Sequence, residues 1–146
     1  MEIIQITDLH ISKDKSDSKH DCVPYERLTK VLEHISANHS KHSNLVITGD
    51  LSSDFTHESY KNISSLIKQF EFNVSILPGN HDDLSMMKLI CDDQIKLESL
   101  DCESKYFSIF NFDTHIQDNV KGVINQREIE NPVSYTHLTL PTTRHV

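Results

Sequence analysis

The sequence predicts an α/β fold, a mostly parallel sheet built from strand–helix–strand units. Three observations point there. Four short runs are apolar and rich in β-branched or aromatic residues, two longer segments repeat apolar residues at helical spacing, and the two kinds of segment alternate along the chain.

The first run is Ile3-Ile4-Gln5-Ile6, the second Leu45-Val46-Ile47, the third Val74-Ser75-Ile76-Leu77 and the fourth Tyr106-Phe107-Ser108-Ile109-Phe110. Near-continuous apolar character is what a parallel strand covered on both faces requires. Between the first two runs, Tyr25, Leu28, Val31, Leu32 and Ile35 form one apolar stripe of a helix. Tyr60, Ile63, Leu66, Ile67 and Phe70 repeat the same offsets, with Thr56 placed as N-cap. A weaker third helix is expected over Leu84 to Ile90. Right-handed crossovers then connect the strands. The polar segment from Ser12 to Pro24 reads as a mobile surface loop.

The chain has 146 residues, enough for one domain. Asp plus Glu number 22 against 14 Lys plus Arg, a net charge of −8. Such a chain repels nucleic acid and anionic lipid, so no broad nucleic-acid clamp is expected. No apolar run reaches the roughly 18 residues of a membrane span, so no membrane partner is expected. Cys22, Cys91 and Cys102 form no close pair, and the N-terminus shows no basic region followed by an apolar stretch. Together these predict a cytoplasmic location.

The C-terminal residues stand apart in composition. Val133-Ser134-Tyr135-Thr136-His137-Leu138-Thr139-Leu140-Pro141-Thr142 is Thr-rich and lacks acids. It resembles the conceptual translation of a transposon-type sequencing adapter. The expected division is therefore a truncated native domain over residues 1–131 and a non-native tail over 132–146, with the natural protein continuing past the break.

Three polar clusters follow three of the apolar runs: Asp8-Leu9-His10, Gly49-Asp50 and Gly79-Asn80-His81-Asp82. In open α/β sheets ligands bind at the carboxyl ends of strands, so the three clusters converge. The residue types suit metal ions. Asp8 and His10, two apart, are expected to aim to the same side of an extended backbone. Asp50 can bridge two ions through its two oxygens. Asn80 offers a neutral amide oxygen to a second ion. Gly49 and Gly79 allow sharp turns where a side chain would obstruct, and an imidazolium at His81 could stabilise phosphoryl charge or protonate a leaving oxygen. Asp82 and Asp83 are candidates to orient His81, and Asp83 equally a helix cap. His20, His34, His39, His42 and His57 read as solvated, Cys22 as an outside candidate for coordination, and Cys91 and Cys102 as packing residues.

These motifs resemble the calcineurin-like metallophosphoesterases, whose opening pattern is Asp-x-His, Gly-Asp and Gly-Asn-His-(Asp/Glu). Gln5 to His10, Thr48 to Ser52 and Leu77 to Asp82 look most like the class III cyclic-nucleotide phosphodiesterase branch, as does Phe112-Asp113-Thr114 followed by Gly122 and Gln126. The resemblance implies the N-terminal half of an αββα sandwich. It implies that Asp8 and His10 hold a first metal, that Asp50 bridges, that Asn80 holds the second and that His81 acts at the leaving group. Two divalent or trivalent transition metal ions (Fe, Mn or Zn) would activate a hydroxide to attack a small-molecule phosphodiester, a cyclic nucleotide first of all. The family's later motifs, a histidine after a further strand and a Gly-His-x-His, are absent, and His115 sits too early to replace them. The expected fragment therefore has half a site and weak or no activity. The alternatives are another hydrolase of the family (nuclease, protein phosphatase or nucleotide-sugar pyrophosphatase) and a non-catalytic module that keeps the fold.

Overall fold

A computed structural model describes residues 2–41, 43–97, 112, 114–116, 121–124, 126 and 130. The elements run β1 (Ile3–Ile6), α1 (Pro24–Asn38), β2 (Asn44–Thr48), α2 (His57–Ile67), β3 (Asn73–Leu77), α3 (Leu84–Leu89) and β4 (Ile95–Leu97). All four strands are parallel and lie in the order β1-β2-β3-β4, so the α/β prediction holds. The register pairs Ile6 with Ile47 and Ile47 with Ile76, which brings the ends of β1, β2 and β3 level. The loops that leave those ends therefore start side by side.

Burial follows position in the sheet. Leu45, Val46 and Ile47 of β2 and Val74, Ser75 and Ile76 of β3 are all buried, as expected of covered parallel strands. β1 differs: among the described residues it pairs on one side only, and its residues alternate between exposed and half-buried. Leu28, Leu32 and Ile35 of α1 and Tyr60, Ile63, Leu66 and Ile67 of α2 join the same core as Leu45, Ile47 and Ile76. Val31, expected in the α1 stripe, is instead 41% exposed. Thr56 caps α2 as expected, its hydroxyl accepting from the Ser59 N–H at 3.2 Å. The helix stops before Phe70, because the Gln69 and Phe70 N–H groups close a tighter turn on Leu66 and Ile67. Asp83 caps α3, accepting from Ser85 and Met86.

Two further differences concern strands and loops. The fourth described strand, Ile95–Leu97, was not among the apolar runs, because three residues with a central lysine carry too little signal. The Tyr106–Phe110 run, His42 and Cys102 lie outside the described residues. The Ser12–Pro24 segment, expected to be mobile, is fastened along its first half. The Ser12 hydroxyl donates to Asp17 at 2.6 Å, the Lys13 N–H to Asp54 at 2.8 Å, and the Asn62 amide to the Ser12 and Lys13 carbonyls. His39, expected to be free of carboxylates, caps the end of α1 with its Nδ1 2.8 Å from Glu2 Oε1. Cys91 packs against the core, as expected.

The Asp82 side chain binds the loops together. It is 3% exposed and accepts from the Leu51, Ser52 and Gly79 N–H groups and from the Tyr60 hydroxyl. Burial pushes its carboxyl above the usual range, against the pull of those donors. Burial, together with the Asp82 charge, pushes the Tyr60 hydroxyl up. Replacing Asp82 by Ala strands three buried donors and the half-buried Gly79 N–H and is expected to cost about 3 kcal/mol or more, roughly 10 °C in Tm. Asp83→Ala removes only a helix cap and is expected to cost about 1 kcal/mol. Thermal unfolding of the two variants side by side checks this ordering; equal losses contradict it.

Candidate metal centre

Backbone pairing continues past the ends of β1 and β2 and sets the site. The Asp8 N–H donates to the Gly49 carbonyl at 3.2 Å, His10 to Asp50 at 2.9 Å and Ile11 to Leu51 at 2.9 Å. The loop carrying Asp8 and His10 is thereby laid along the loop carrying Asp50. The third loop is attached through Asp82 and through the His81 N–H, which donates to Asp50 Oδ1 at 3.0 Å.

Asp8, His10 and Asp50 come together, each offering one ligand atom within 4.8 Å of the others. His10 Nε2 lies 3.9 Å from Asp8 Oδ1 and 3.7 Å from Asp50 Oδ2. The second oxygen of each carboxylate is held elsewhere. Asp8 Oδ2 accepts from the Thr7 hydroxyl at 2.7 Å, and Asp50 Oδ1 accepts from His81. Each carboxylate thus has one oxygen oriented by a donor and one turned toward the imidazole. Two donors that share an ion at about 2.1 Å from each lie at most about 4.2 Å apart, and both separations from the imidazole fall within that reach.

The convergence does not come from an extended backbone, as the spacing suggested. Asp8 (φ 57°), His10 (φ 45°) and Asp50 (φ 52°) are all left-handed. A non-glycine residue held there stores strain, which persists only where the surroundings over-determine it. Gly49 (φ 95°) and Gly79 meet the expected need for small residues. A Cβ on Gly49 would lie 2.9 Å from the Gly79 Cα, and one on Gly79 would collide with the Asp50 side chain and backbone nitrogen.

Two cavities flank the carboxylates. A polar one of about 280 Å³ is lined by Asp8, Asp50, Asn80 and His115, so Asn80 shares the space with the carboxylates. His115, which sequence position sets too early to replace the family's later histidines, lines this cavity. A larger cavity holds Asp8, His10 and His81 together with His20 and Cys22.

His81 is held by its ring. Phe55 stacks on it with centroids 5.9 Å apart and planes at 24°, and His10 meets it edge-on at 5.3 Å. Its buried Nδ1 has no hydrogen-bond partner among the described residues. Asp82, expected to orient it, instead serves the loop clamp, and Asp83 takes the helix-cap role that was its other expectation. Phe55, missed in the sequence, is 46% exposed and left-handed (φ 57°). An isolated aromatic after Asp50 gives no signal until its backbone angle is seen.

Comparison with known proteins places these features. The model of the calcineurin-like phosphoesterase family matches residues 1–143. The chain is 27% identical to the probable cyclic nucleotide phosphodiesterase of Coxiella burnetii over 132 residues, 88% of this chain and 51% of that protein. It is 33% identical to the 3′,5′-cyclic-nucleotide phosphodiesterase of Nostoc over 82 residues, 56% of this chain and 31% of that one. The same identity over 82 residues relates it to the 3′,5′-cyclic adenosine monophosphate phosphodiesterase of Escherichia coli, of which 30% is covered. The chain thus spans about half the length of the first relative and about a third of the others. No helix among the described residues is long and apolar enough to cross a membrane.

Gly79→Ala is expected to push the Asp50 carboxylate out of the cluster. It should cost about 1–3 kcal/mol of stability and weaken Mn²⁺ binding together with it. Thermal unfolding and calorimetric titration of the same sample check both; a variant with unchanged stability and metal affinity refutes the close approach.

Proposed function

We propose that this chain, which belongs to the calcineurin-like phosphoesterase family, carries the first ligands of a two-metal centre that hydrolyses a phosphodiester, a cyclic nucleotide first of all. The carrying observation is the cluster of Asp8, His10 and Asp50 at the ends of two neighbouring strands. The names of the relatives support the choice of substrate.

In this reading Asp8 and His10 would hold one ion, Asn80 would hold a second, and Asp50 would serve both. Bound divalent or trivalent ions (Fe, Mn or Zn) would supply Lewis acidity and an acidified water near neutral pH. The residues of the chain do the rest. Thr7 and the His81 N–H fix the two carboxylates, so each keeps one oxygen free for a cation. Asp82 holds the Asp50 and Asn80 loops at fixed separation. His81, steadied by Phe55 and His10, gives a proton to the departing alkoxide oxygen. Neutralising phosphate charge falls to the ions and His81, since the chain is itself acidic, at −8.

Calorimetric titration with Mn²⁺ tests the assignment without requiring turnover. Asp50→Asn keeps the shape and removes one charge, and is expected to weaken binding at least about tenfold. Hydrolysis of a generic phosphodiester, where measurable, is expected to fall in parallel. Unchanged Mn²⁺ affinity in Asp50→Asn overturns the reading.

A further inference from the structure

The polar cavity of about 280 Å³ beside the carboxylates takes part of its lining from two short stretches, 114–116 and 121–122. We propose that Lys121, on the second of them, is a product-holding residue. Its ammonium binds the phosphomonoester that hydrolysis leaves more tightly than the phosphodiester that enters. The inference rests on the phosphodiester reading and adds to it a control on product release.

The backbone puts Lys121 in place. The Val123 N–H donates to the Thr114 carbonyl at 3.0 Å, which lays the two stretches together. Gly122 allows the approach. A Cβ there would lie 2.9 Å from the Thr114 carbonyl oxygen and 3.0 Å from the Thr114 Cβ. The residue before that glycine, Lys121, therefore lines one space with Asp8, Asp50 and Asn80. Lys121 is exposed, and its flexible four-carbon stem can carry the ammonium across a space this small.

Size and charge say what the ammonium meets. Whole small-molecule ligands usually occupy about 300–1,000 Å³, so this cavity suits a phosphoryl group and not the organic part of a substrate. Among the described residues, Lys121 is the one lysine or arginine in the lining, set against the carboxylates of Asp8 and Asp50. Where those carboxylates serve cations, the ammonium is left to the ligand.

Hydrolysis changes the ligand's charge at this place. The oxygen of water bonds to phosphorus, one ester P–O bond breaks, and the leaving oxygen takes a proton. A diester carries one negative charge. The monoester carries a second above a pKa of about 6. Coulomb attraction scales with that charge, so an ammonium in the lining favours product over substrate. Lys121 thereby slows product release.

The test is calorimetry of the full chain at about pH 8, where a monoester is a dianion. Mn²⁺ is titrated first, then methyl phosphate (a dianion) or dimethyl phosphate (a monoanion) into the loaded chain. Lys121→Gln is expected to weaken methyl phosphate at least about fivefold and dimethyl phosphate about twofold, with Mn²⁺ bound no more weakly. Lys121→Arg, which keeps the charge, is expected to recover most of the loss. A smaller loss of methyl phosphate overturns the assignment. So do equal losses for the two ligands, or a parallel loss of Mn²⁺, which marks a structural role. Where dimethyl phosphate binds below detection, methyl phosphate and the arginine variant decide. If Mn²⁺ does not bind the unaltered chain, the metal-centre reading falls and this assignment with it. Mn²⁺ binding without a response to Lys121→Gln removes this assignment alone.

Discussion

The Asp82 carboxylate is the joint on which the site depends, because it is the group that bonds both to the loop after β2 and to the loop after β3 while lying inside the protein. Burying a carboxylate is costly, and here the cost is offset by three backbone N–H groups and the Tyr60 hydroxyl, which would otherwise be buried unpaired themselves. The arrangement is therefore mutually required. Parallel strands deliver three loops to one edge of the sheet, but loops that leave side by side can still diverge. Asp82 stops two of them from doing so, and the pairing of Asp8, His10 and Ile11 with Gly49, Asp50 and Leu51 stops the third.

With the loops fixed, the side chains of the cluster have little freedom. Asp8, His10 and Asp50 sit in a backbone region that costs free energy for residues with a Cβ, and they stay there because the hydrogen bonds around them leave no alternative. Gly49 and Gly79 let the two loops touch. The result is two carboxylate oxygens and an imidazole nitrogen facing one another, each carboxylate steadied through its other oxygen. Two carboxylates turned toward one imidazole form a donor set of the kind that suits a cation. Phe55 adds a further strained residue, one whose ring holds His81 where, among the described residues, no hydrogen bond reaches Nδ1.

The sequence made the middle of the sheet and the identity of the cluster readable, because both are signalled locally. Apolar runs marked β1, β2 and β3, the stripes of α1 and α2 stood at helical spacing, and polar residues after each strand marked the loops. What escaped depends on contacts distant in sequence. β1 looked like a covered strand but lies at the edge of the described sheet. Ile95–Leu97 was too short to register, and it forms because β3 offers it a pairing edge. Asp82 looked like a partner of His81, since neighbours in sequence are the natural guess, yet its partners lie across the fold. The convergence of Asp8 and His10 was foreseen, but from an extended backbone that neither residue adopts. His115 and Phe55 reach the site only through the fold.

The most direct measurement is anomalous diffraction at the manganese edge from crystals of the chain soaked in Mn²⁺. A peak bonded to Asp8 Oδ1, His10 Nε2 and Asp50 Oδ2 is the predicted result. Crystals that take up manganese elsewhere, or show those three atoms facing apart with no peak between them, contradict the account.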